Sequence, residues 1–285
     1  MARQRGIRSK HKQSASKETH VIRVFSKPRL SAQLKMLAAA APPASGFDRA
    51  VSLEGSTQHF QVYSATDFAN GPIIAKGVLA TCEKDHGAVV QFFSGLALPV
   101  FPMNIIIASG IGGAYHYGCS AVDLYCDGDT SANPDIGHTR YLVIAEEVEV
   151  FEAVQNKGWD CGASNGEGLS RILATELYPA ELDGFFTAAS WLDSDRPDWV
   201  SQTDPTDQNA VSTGCSVLFL NYLHYQLNFP WPQIVQAAGS TLEQTYHALT
   251  GNSGGFAPFK ALLDSHFRAG QPSGFTSDNP FPLAG

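Results

Sequence analysis

The chain has 285 residues, 44% of them apolar, which is enough to bury the core of one large domain or two small ones. Residues 1–30 hold nine of the 19 Lys and Arg residues and one acid, Glu18, so the remainder carries 10 bases against 26 acids, a net charge of −16. An acidic body of this kind repels nucleic acid. Contact with nucleic acid is therefore expected only through the basic N-terminal segment.

The apolar residues and the cysteines bear on the compartment of the protein. No run of about 18 apolar residues occurs, so the sequence predicts no transmembrane span. It also has no clear secretory signal, which favours the cytoplasm. The five cysteines form no Cys-x-x-Cys pair, which argues against a zinc ribbon. Their odd number leaves open one or two disulfides beside a free thiol.

Three segments are expected along the chain. Residues 1–45 lack apolar periodicity over most of their length and end in a Pro- and Ala-rich stretch, which predicts a basic disordered tail and linker. Residues 46–270 carry the apolar patterns of a folded domain, and residues 271–285 are expected to form a C-terminal tail.

The predicted elements of the domain change character along the chain. Apolar runs predict strands, and an i, i+3, i+4 pattern predicts a short helical turn that Gly71 and Pro72 would end. The strands are expected at 60–63, 77–82, 89–93, 103–108 and 121–126, and the turn at 65–70. Helices are expected at 141–155, 166–177, 184–192, 214–227, 232–249 and 256–267. Strands followed by helices predict an α+β fold.

Two short glutamate motifs lie on consecutive predicted helices. Residues 145–149 read Ala-Glu-Glu-Val-Glu, which places Glu146 and Glu149 three apart on the first helix. After seventeen intervening residues, Glu167 stands in the sequence Asn-Gly-Glu-Gly at the start of the second helix. This arrangement resembles the gluzincin branch of zinc metallopeptidases, where a His-Glu-x-x-His helix supplies two ligands and the general base and a downstream glutamate is the third ligand. The resemblance implies a zincin-like domain, with a small N-terminal sheet, the active-site helix and a helical C-terminal half.

The resemblance also implies a role for each glutamate. Glu146 matches the catalytic base and Glu167 the third ligand, whereas Ala145 and Glu149 occupy the positions of the two histidines. Glu149 and Glu167 would then be the remaining protein ligands of a metal. Carboxylates alone shift the preference from zinc towards calcium, magnesium or manganese.

Two histidines on neighbouring loops could replace a missing imidazole. His116 follows a glycine run, and His138 lies just before the first of the two helices. Both are candidate metal ligands on this argument, although surface and core histidines are more common than ligands. The expected cofactor is a divalent metal, zinc or calcium, or none.

The glutamates also have structural interpretations. Glu146 and Glu149 lie side by side opposite the apolar stripe of their helix, so they cover either a solvated face or the floor of a cleft. Ser164 and Glu167 have the spacing of a capping box, in which the serine is the N-cap. The sequence alone leaves these interpretations open.

The functional expectation follows from the altered motif. The chain is expected to be a hydrolase of altered chemistry, with Glu146, Glu149 and Glu167 as its catalytic residues, or an inactive peptidase homologue. Paired carboxylates about 5 to 9 Å apart also perform glycoside hydrolysis, which gives a second enzymatic alternative. A non-catalytic binding module is the remaining alternative. The expected ligand is a peptide or a glycan.

Overall fold

The structure is a computed structural model that describes residues 19–20, 47–184 and 186–285. Most of the expected tail at 1–45 lies outside these residues. Phe185, in the helix expected at 184–192, also lies outside them. The described chain is a mixed α/β structure, with a sheet in its N-terminal half and helices after it. Within the described part of the chain, no helix is both long enough and apolar enough to cross a membrane.

The sheet has six strands in the order β1-β2-β3-β4-β6-β5. The three central strands, β3, β4 and β6, are parallel, and the strands outside them pair antiparallel. The strands are β1 (Thr19–His20), β2 (Val51–Ser56), β3 (Phe60–Ala65), β4 (Met103–Ala108), β5 (Ala114–Tyr115) and β6 (Asp123–Asp127). The strands expected at 60–63, 103–108 and 121–126 are thereby confirmed, within a few residues at their ends.

Two helices cross from β3 to β4, because parallel neighbours cannot be joined by a tight turn. They are α1 (Gly71–Leu79) and α2 (Cys82–Phe92), so the strands expected at 77–82 and 89–93 were wrong. Short apolar runs do not distinguish a strand from a buried helix face, and α1 buries Ile74 and Val78 one helical turn apart. The chain does turn at 65–70, where the amide of Phe68 donates to the carbonyl oxygen of Ala65 at 3.0 Å. Gly71 and Pro72 do not end a helix there, because Pro72 stands in the first turn of α1 and begins it.

All remaining regular elements of the described chain are helices or helical turns. They are α3 (Ile136–Gln155), α4 (Ser164–Leu177), α5 (Ala188–Leu192), α6 (Ala210–Asn221), α7 (Trp231–Gln236), α8 (Leu242–Thr250) and α9 (Phe256–His266), with a 3₁₀ turn at Pro179–Gly184 and a π turn at Tyr222–Gln226. The single helix expected at 232–249 is two helices. The break follows from Thr241, whose hydroxyl accepts a hydrogen bond from the amide of Gln244 at 3.2 Å and starts α8 as its N-cap.

The segment 271–285 contains no helix or strand but lies against the helical half. The buried carboxylate of Asp278 accepts hydrogen bonds from the amides of Thr187 and Ala188 at 2.7 and 2.8 Å. The side-chain amide of Asn221 donates to the carbonyl of Asp278 at 2.9 Å, and Phe281 is buried. The end of the chain is thus part of the packing around α5 and α6.

The helix that carries the first glutamate motif lies at the centre of the molecule. α3 packs against β6 on one side and α4 on another, and α4 in turn packs against α6. Asp135 caps α3 by accepting from the amide of Gly137 at 2.9 Å, and Asn156 ends the helix in the left-handed conformation, φ 49°. α3 therefore joins the sheet to the helical half.

Candidate functional site: a buried carboxylate cluster

α3 is buried on almost all sides, including the face that carries its glutamates. The exposed fractions of Glu146 and Glu149 are 7% and 4%, so the solvated-face interpretation was wrong. The helical wheel placed Glu147 on the apolar face, and it is also buried, with a carboxylate oxygen 2.5 Å from Nδ1 of His86 on α2. Burial is the main cause that raises the pKa of Glu147, and His86 opposes it.

The three glutamates singled out by the sequence line one cavity. Glu146 and Glu149 reach it from α3, Glu167 reaches it from α4, and Ala114 of the edge strand β5 forms part of its wall. The cavity has a volume of only about 20 Å³, which is room for a single water molecule. The structure thus brings Glu146, Glu149 and Glu167 together around a narrow, largely buried space.

Arg171 neutralises part of this cluster. Nε of Arg171 lies 2.7 Å from Oε1 of Glu167, one turn away on α4, and both side chains are buried. Sequence reasoning missed Arg171, although an acid and a base four residues apart on a helix are a known pairing signal.

The capping box predicted for Ser164 and Glu167 was wrong. Ala163 is the N-cap of α4, and Oγ of Ser164 accepts a hydrogen bond from the amide of Asp204 at 3.1 Å.

The environment of Glu167 favours its protonated form. Burial, followed by the charges of Glu149 and Asp207, raises the pKa of Glu167 to about 8, although Arg171 lowers it. The desolvation of a carboxylate away from water disfavours the charged form, and this effect prevails over the single cation. Burial therefore shifts Glu167 towards its protonated form, against the attraction of the Arg171 cation.

His116, which the sequence suggested as a replacement for a missing motif histidine, lies beside the carboxylate cluster. Its Nε2 is 2.9 Å from Oε2 of Glu149, and its ring is fully buried. Its Nδ1 lies 3.4 Å from the carbonyl oxygen of Ala121, and the hydroxyl of Ser170 on α4 donates to Oε1 of Glu149 at 3.4 Å. Glu149 is thus held from the sheet side by His116 and from α4 by Ser170.

A disulfide lies next to His116 and Glu149. Cys119 and Cys161 are bonded, whereas Cys82, Cys126 and Cys215 are free and buried. The pairing resolves the question that the odd number of cysteines left open. It ties the chain that follows β5 to the chain that precedes α4, so it closes the side of the cluster on which His116 lies.

The possible metal ligands differ from those expected. Among the described residues, one buried group has ligand atoms of His116, Glu149 and Cys161 all within 4.8 Å of one another. Glu167 belongs to no such three-residue group in the described chain, although it lines the same cavity as Glu149. Cys161 is oxidised in its disulfide and cannot coordinate a metal in this state.

His138 is placed away from the cluster. It lines an open depression of about 490 Å³ at the carboxyl ends of β4 and β6, together with Asp127, Asp129 and Asp135. Oδ1 and Oδ2 of Asp127 accept hydrogen bonds from the amides of Gly110 and Gly112 at 2.9 and 3.0 Å, so this carboxylate shapes the loop. His138 therefore does not substitute for a motif histidine.

The glycines around Glu167 have a packing role. A Cβ atom at Gly166 would lie 2.3 Å from the carbonyl oxygen of Asp160, and one at Gly168 would lie 2.6 Å from Cβ of Ser216 on α6. The Gly-Glu-Gly sequence thus lets α4 approach its neighbours closely on both sides of Glu167.

Comparison of the chain with models of known families and with curated proteins gave no match.

Proposed function

We propose that the chain is a peptidase-like domain without catalytic activity, which uses its buried carboxylates for structure and binds a peptide or glycan at its surface. The size of the cavity around Glu146, Glu149 and Glu167 carries this proposal. At about 20 Å³ it holds a water molecule, whereas a sugar ring or a peptide bond needs a cleft more than ten times as large.

The charges in the cavity support a structural role. Glu167 is paired with Arg171, and Glu149 is paired with His116. A general base must reach a substrate proton or a water molecule that attacks the substrate. Glu146 is buried and lines this narrow cavity, and Ala145 cannot hold a metal where the gluzincin resemblance places a histidine.

The surface has room for a ligand elsewhere. Two open depressions in the described chain have volumes of about 490 and 480 Å³, one beside His138 and the other beside Trp159 and Asn165. Both volumes lie in the range of small-ligand sites, on the order of 300 to 1,000 Å³. A ligand of the proposed module would contact one of these depressions and leave the carboxylate cluster closed.

A paired-carboxylate hydrolase is the second candidate, and one observation favours it. The pKa of Glu167 is raised to about 8, chiefly by burial, so this residue beside Glu149 binds a proton more tightly than an ordinary glutamate. A glycoside hydrolase needs such an acid beside an ionised carboxylate. This candidate requires α3 and α4 to separate so that a substrate can enter.

The test combines turnover and binding. Wild type and Glu146→Gln are assayed on a peptide library and a glycan panel, with and without zinc and calcium, and binding to the same panels is measured in parallel. We expect binding of some panel members, unchanged in Glu146→Gln, and no turnover. Turnover that disappears in Glu146→Gln while the variant remains folded would overturn the proposal.

Two further variants locate the binding surface. Thr130→Trp fills the depression beside His138, and Pro205→Trp fills the one beside Trp159. Both residues are exposed, so neither change disturbs the core. Binding should be lost in one variant and retained in the other. Retention in both would contradict the assignment of the ligand to these depressions.

A further inference from the structure

We propose that reduction of the Cys119–Cys161 disulfide converts the surroundings of His116 into a zinc-type metal site, with His116, Glu149 and Cys161 as its protein ligands. The site is gated by redox state because Cys161 can coordinate only as a thiolate. It does not depend on whether the domain is catalytic, since the metal would have a structural role in either case.

The geometry of the three residues is close to that of a zinc site. Their ligand atoms all lie within 4.8 Å of one another, and Nε2 of His116 is 2.9 Å from Oε2 of Glu149. Ligand atoms around tetrahedral zinc lie about 3.5 Å apart, as bond lengths of about 2.0 to 2.3 Å require. A movement of about 1 Å by the Cys161 side chain, once released from Cys119, would complete the set.

The donor set and its charge select the metal. An imidazole nitrogen, a carboxylate oxygen and a thiolate sulfur suit zinc and cobalt rather than calcium or magnesium. One carboxylate and one thiolate balance the two charges of the cation, so the buried complex is neutral. Neutrality is decisive at this position because His116, Glu149 and Cys161 are all buried, and an uncompensated charge there would be costly.

Neighbouring groups are placed to orient two of the ligands. In the oxidised protein Nε2 of His116 faces Glu149, and its Nδ1 faces the carbonyl oxygen of Ala121 at 3.4 Å. With a proton on Nδ1, donated to Ala121, Nε2 presents its lone pair to a metal. The hydroxyl of Ser170 lies 3.4 Å from Oε1 of Glu149 and 3.2 Å from the carbonyl oxygen of Glu167, so Oε2 of Glu149, which faces His116, is the coordinating oxygen.

The redox step is a thiol–disulfide exchange. A dithiol reductant supplies two electrons and two protons, the S–S bond between Cys119 and Cys161 breaks, and the reductant becomes a disulfide. Cys161 then releases its thiol proton to solvent as the cation binds. Cys119 remains a thiol on a partly exposed loop, so reoxidation can displace the metal.

The experiment uses the full chain and cobalt(II) as the probe. Cys119→Ser leaves Cys161 as a thiol without any reductant, and Cys119→Ser/Cys161→Ser is its matched control, because both contain the free cysteines Cys82, Cys126 and Cys215. Cobalt is titrated into each variant and into oxidised wild type. The thiolate-to-cobalt charge-transfer absorption and the stoichiometry are recorded, and zinc is added in competition.

We expect Cys119→Ser to bind one cobalt ion with a charge-transfer band that zinc abolishes. Oxidised wild type and the double variant should show no band. His116→Gln in the Cys119→Ser background should weaken binding by at least about tenfold. A band of equal strength in the double variant, or no binding by folded Cys119→Ser, overturns the proposal.

A loss of folding also gives a decisive result. If Cys119→Ser is unfolded by circular dichroism, zinc is added to it and to the double variant. Refolding of Cys119→Ser alone supports the site, since metal binding and folding are then one equilibrium. Failure of zinc to restore the fold of Cys119→Ser overturns it.

Discussion

His116 and Glu149 join the edge of the sheet to the central helix. Nε2 of His116, which follows β5, lies 2.9 Å from Oε2 of Glu149 on α3, and both side chains are buried. Because Ser170 of α4 donates to the other oxygen of Glu149, one carboxylate holds three elements together. The glutamate at the position of a motif histidine therefore has a structural role that the sequence pattern did not indicate.

Removal of Arg171 is expected to destabilise the protein strongly. Arg171→Met leaves Glu167 buried next to Glu149 without its cation, and breaking a buried pair on one side costs about 3 kcal/mol or more. The free energy of unfolding in urea measures the loss. Loss of the Arg171 cation raises the pKa of Glu167 further, so the loss should be largest above about pH 8, where Glu167 of the wild-type protein is ionised.

An exposed pair with the same spacing provides the control. Lys260 and Asp264 are also four residues apart on one helix, with Nζ 2.5 Å from Oδ2, but both are partly exposed. Lys260→Met should change the free energy of unfolding by no more than about 0.5 kcal/mol. Similar losses of unfolding free energy in Lys260→Met and Arg171→Met would show that burial of the Arg171–Glu167 pair does not determine its contribution to stability.

Glu167 is expected to make stability fall as the pH rises. Burial raises its pKa in the folded protein to about 8, above the ordinary value of 4.5 in the unfolded chain. The folded state therefore holds a proton that the unfolded state releases, and the free energy of unfolding decreases between about pH 4.5 and 8. Below this window the contribution is fully present, and above it the contribution is lost.

Glu167→Gln isolates this titration. The glutamine keeps an oxygen for Arg171 but carries no titratable proton, so the fall in stability across the window should be smaller than in wild type. Urea unfolding at several pH values measures the difference. Glu147, whose pKa is also raised, mainly by burial, titrates in both proteins and cancels in the comparison. If the stability of wild type and of Glu167→Gln changed in parallel with pH, Glu167 of the folded protein would be ionised across the whole window, against the prediction.

Two glycines in helices should respond in opposite ways to alanine. A Cβ at Gly166 would lie 2.3 Å from the backbone carbonyl oxygen of Asp160, so Gly166→Ala should lower the free energy of unfolding by about 2 kcal/mol or more. Gly87 in α2 has no atom within 4 Å of its Cβ position, and Gly87→Ala should raise stability by about 0.5 to 1 kcal/mol. Thermal unfolding compares the two, and a neutral Gly166→Ala would contradict the close approach of α4.

Loss of the disulfide should lower stability without abolishing the fold. Cys119 and Cys161 are 42 residues apart, and a loop of this length corresponds to about 4 kcal/mol of chain entropy in the unfolded state. Cys119→Ser/Cys161→Ser should therefore unfold at lower urea than wild type. A reductant should reduce the stability of wild type to the same level and leave the double variant unchanged. Sensitivity of the double variant to the reductant would point to another bond.

The sequence predicted the helices of the second half better than the elements of the first. The stripe that includes Tyr141, Val148 and Phe151 is buried as the period of 3.6 indicates, and α3 begins only five residues before its predicted start. In the first half, α1 and α2 are 9 and 11 residues long, too short for an apolar run to show its period. Their helical state follows from the crossover between β3 and β4, which is a long-range property.

The candidate site was predictable in part. The resemblance to the gluzincin motif selected Glu146, Glu149 and Glu167 as one cluster, and α3 and α4 pack side by side so that all three line one cavity. The closure of the cavity was not predictable, since it depends on β5 and on packing across the molecule. Likewise, the pairing of Cys119 with Cys161 depends on a contact between distant loops, for which five cysteines offer many combinations.

The disulfide has a consequence for how the molecule opens locally. It links the loop after β5 to the loop before α4, and both β5 and α4 contribute residues to the lining of the carboxylate cavity. While the bond is intact, β5 and α4 cannot move apart without unfolding of a larger unit, so amides around Glu167 should exchange hydrogen only at the rate of global opening. After reduction, β5, which has two residues and a single neighbouring strand, is the element able to detach alone. Solvent would then reach Glu146 and Glu149 in a brief excursion from an otherwise native molecule.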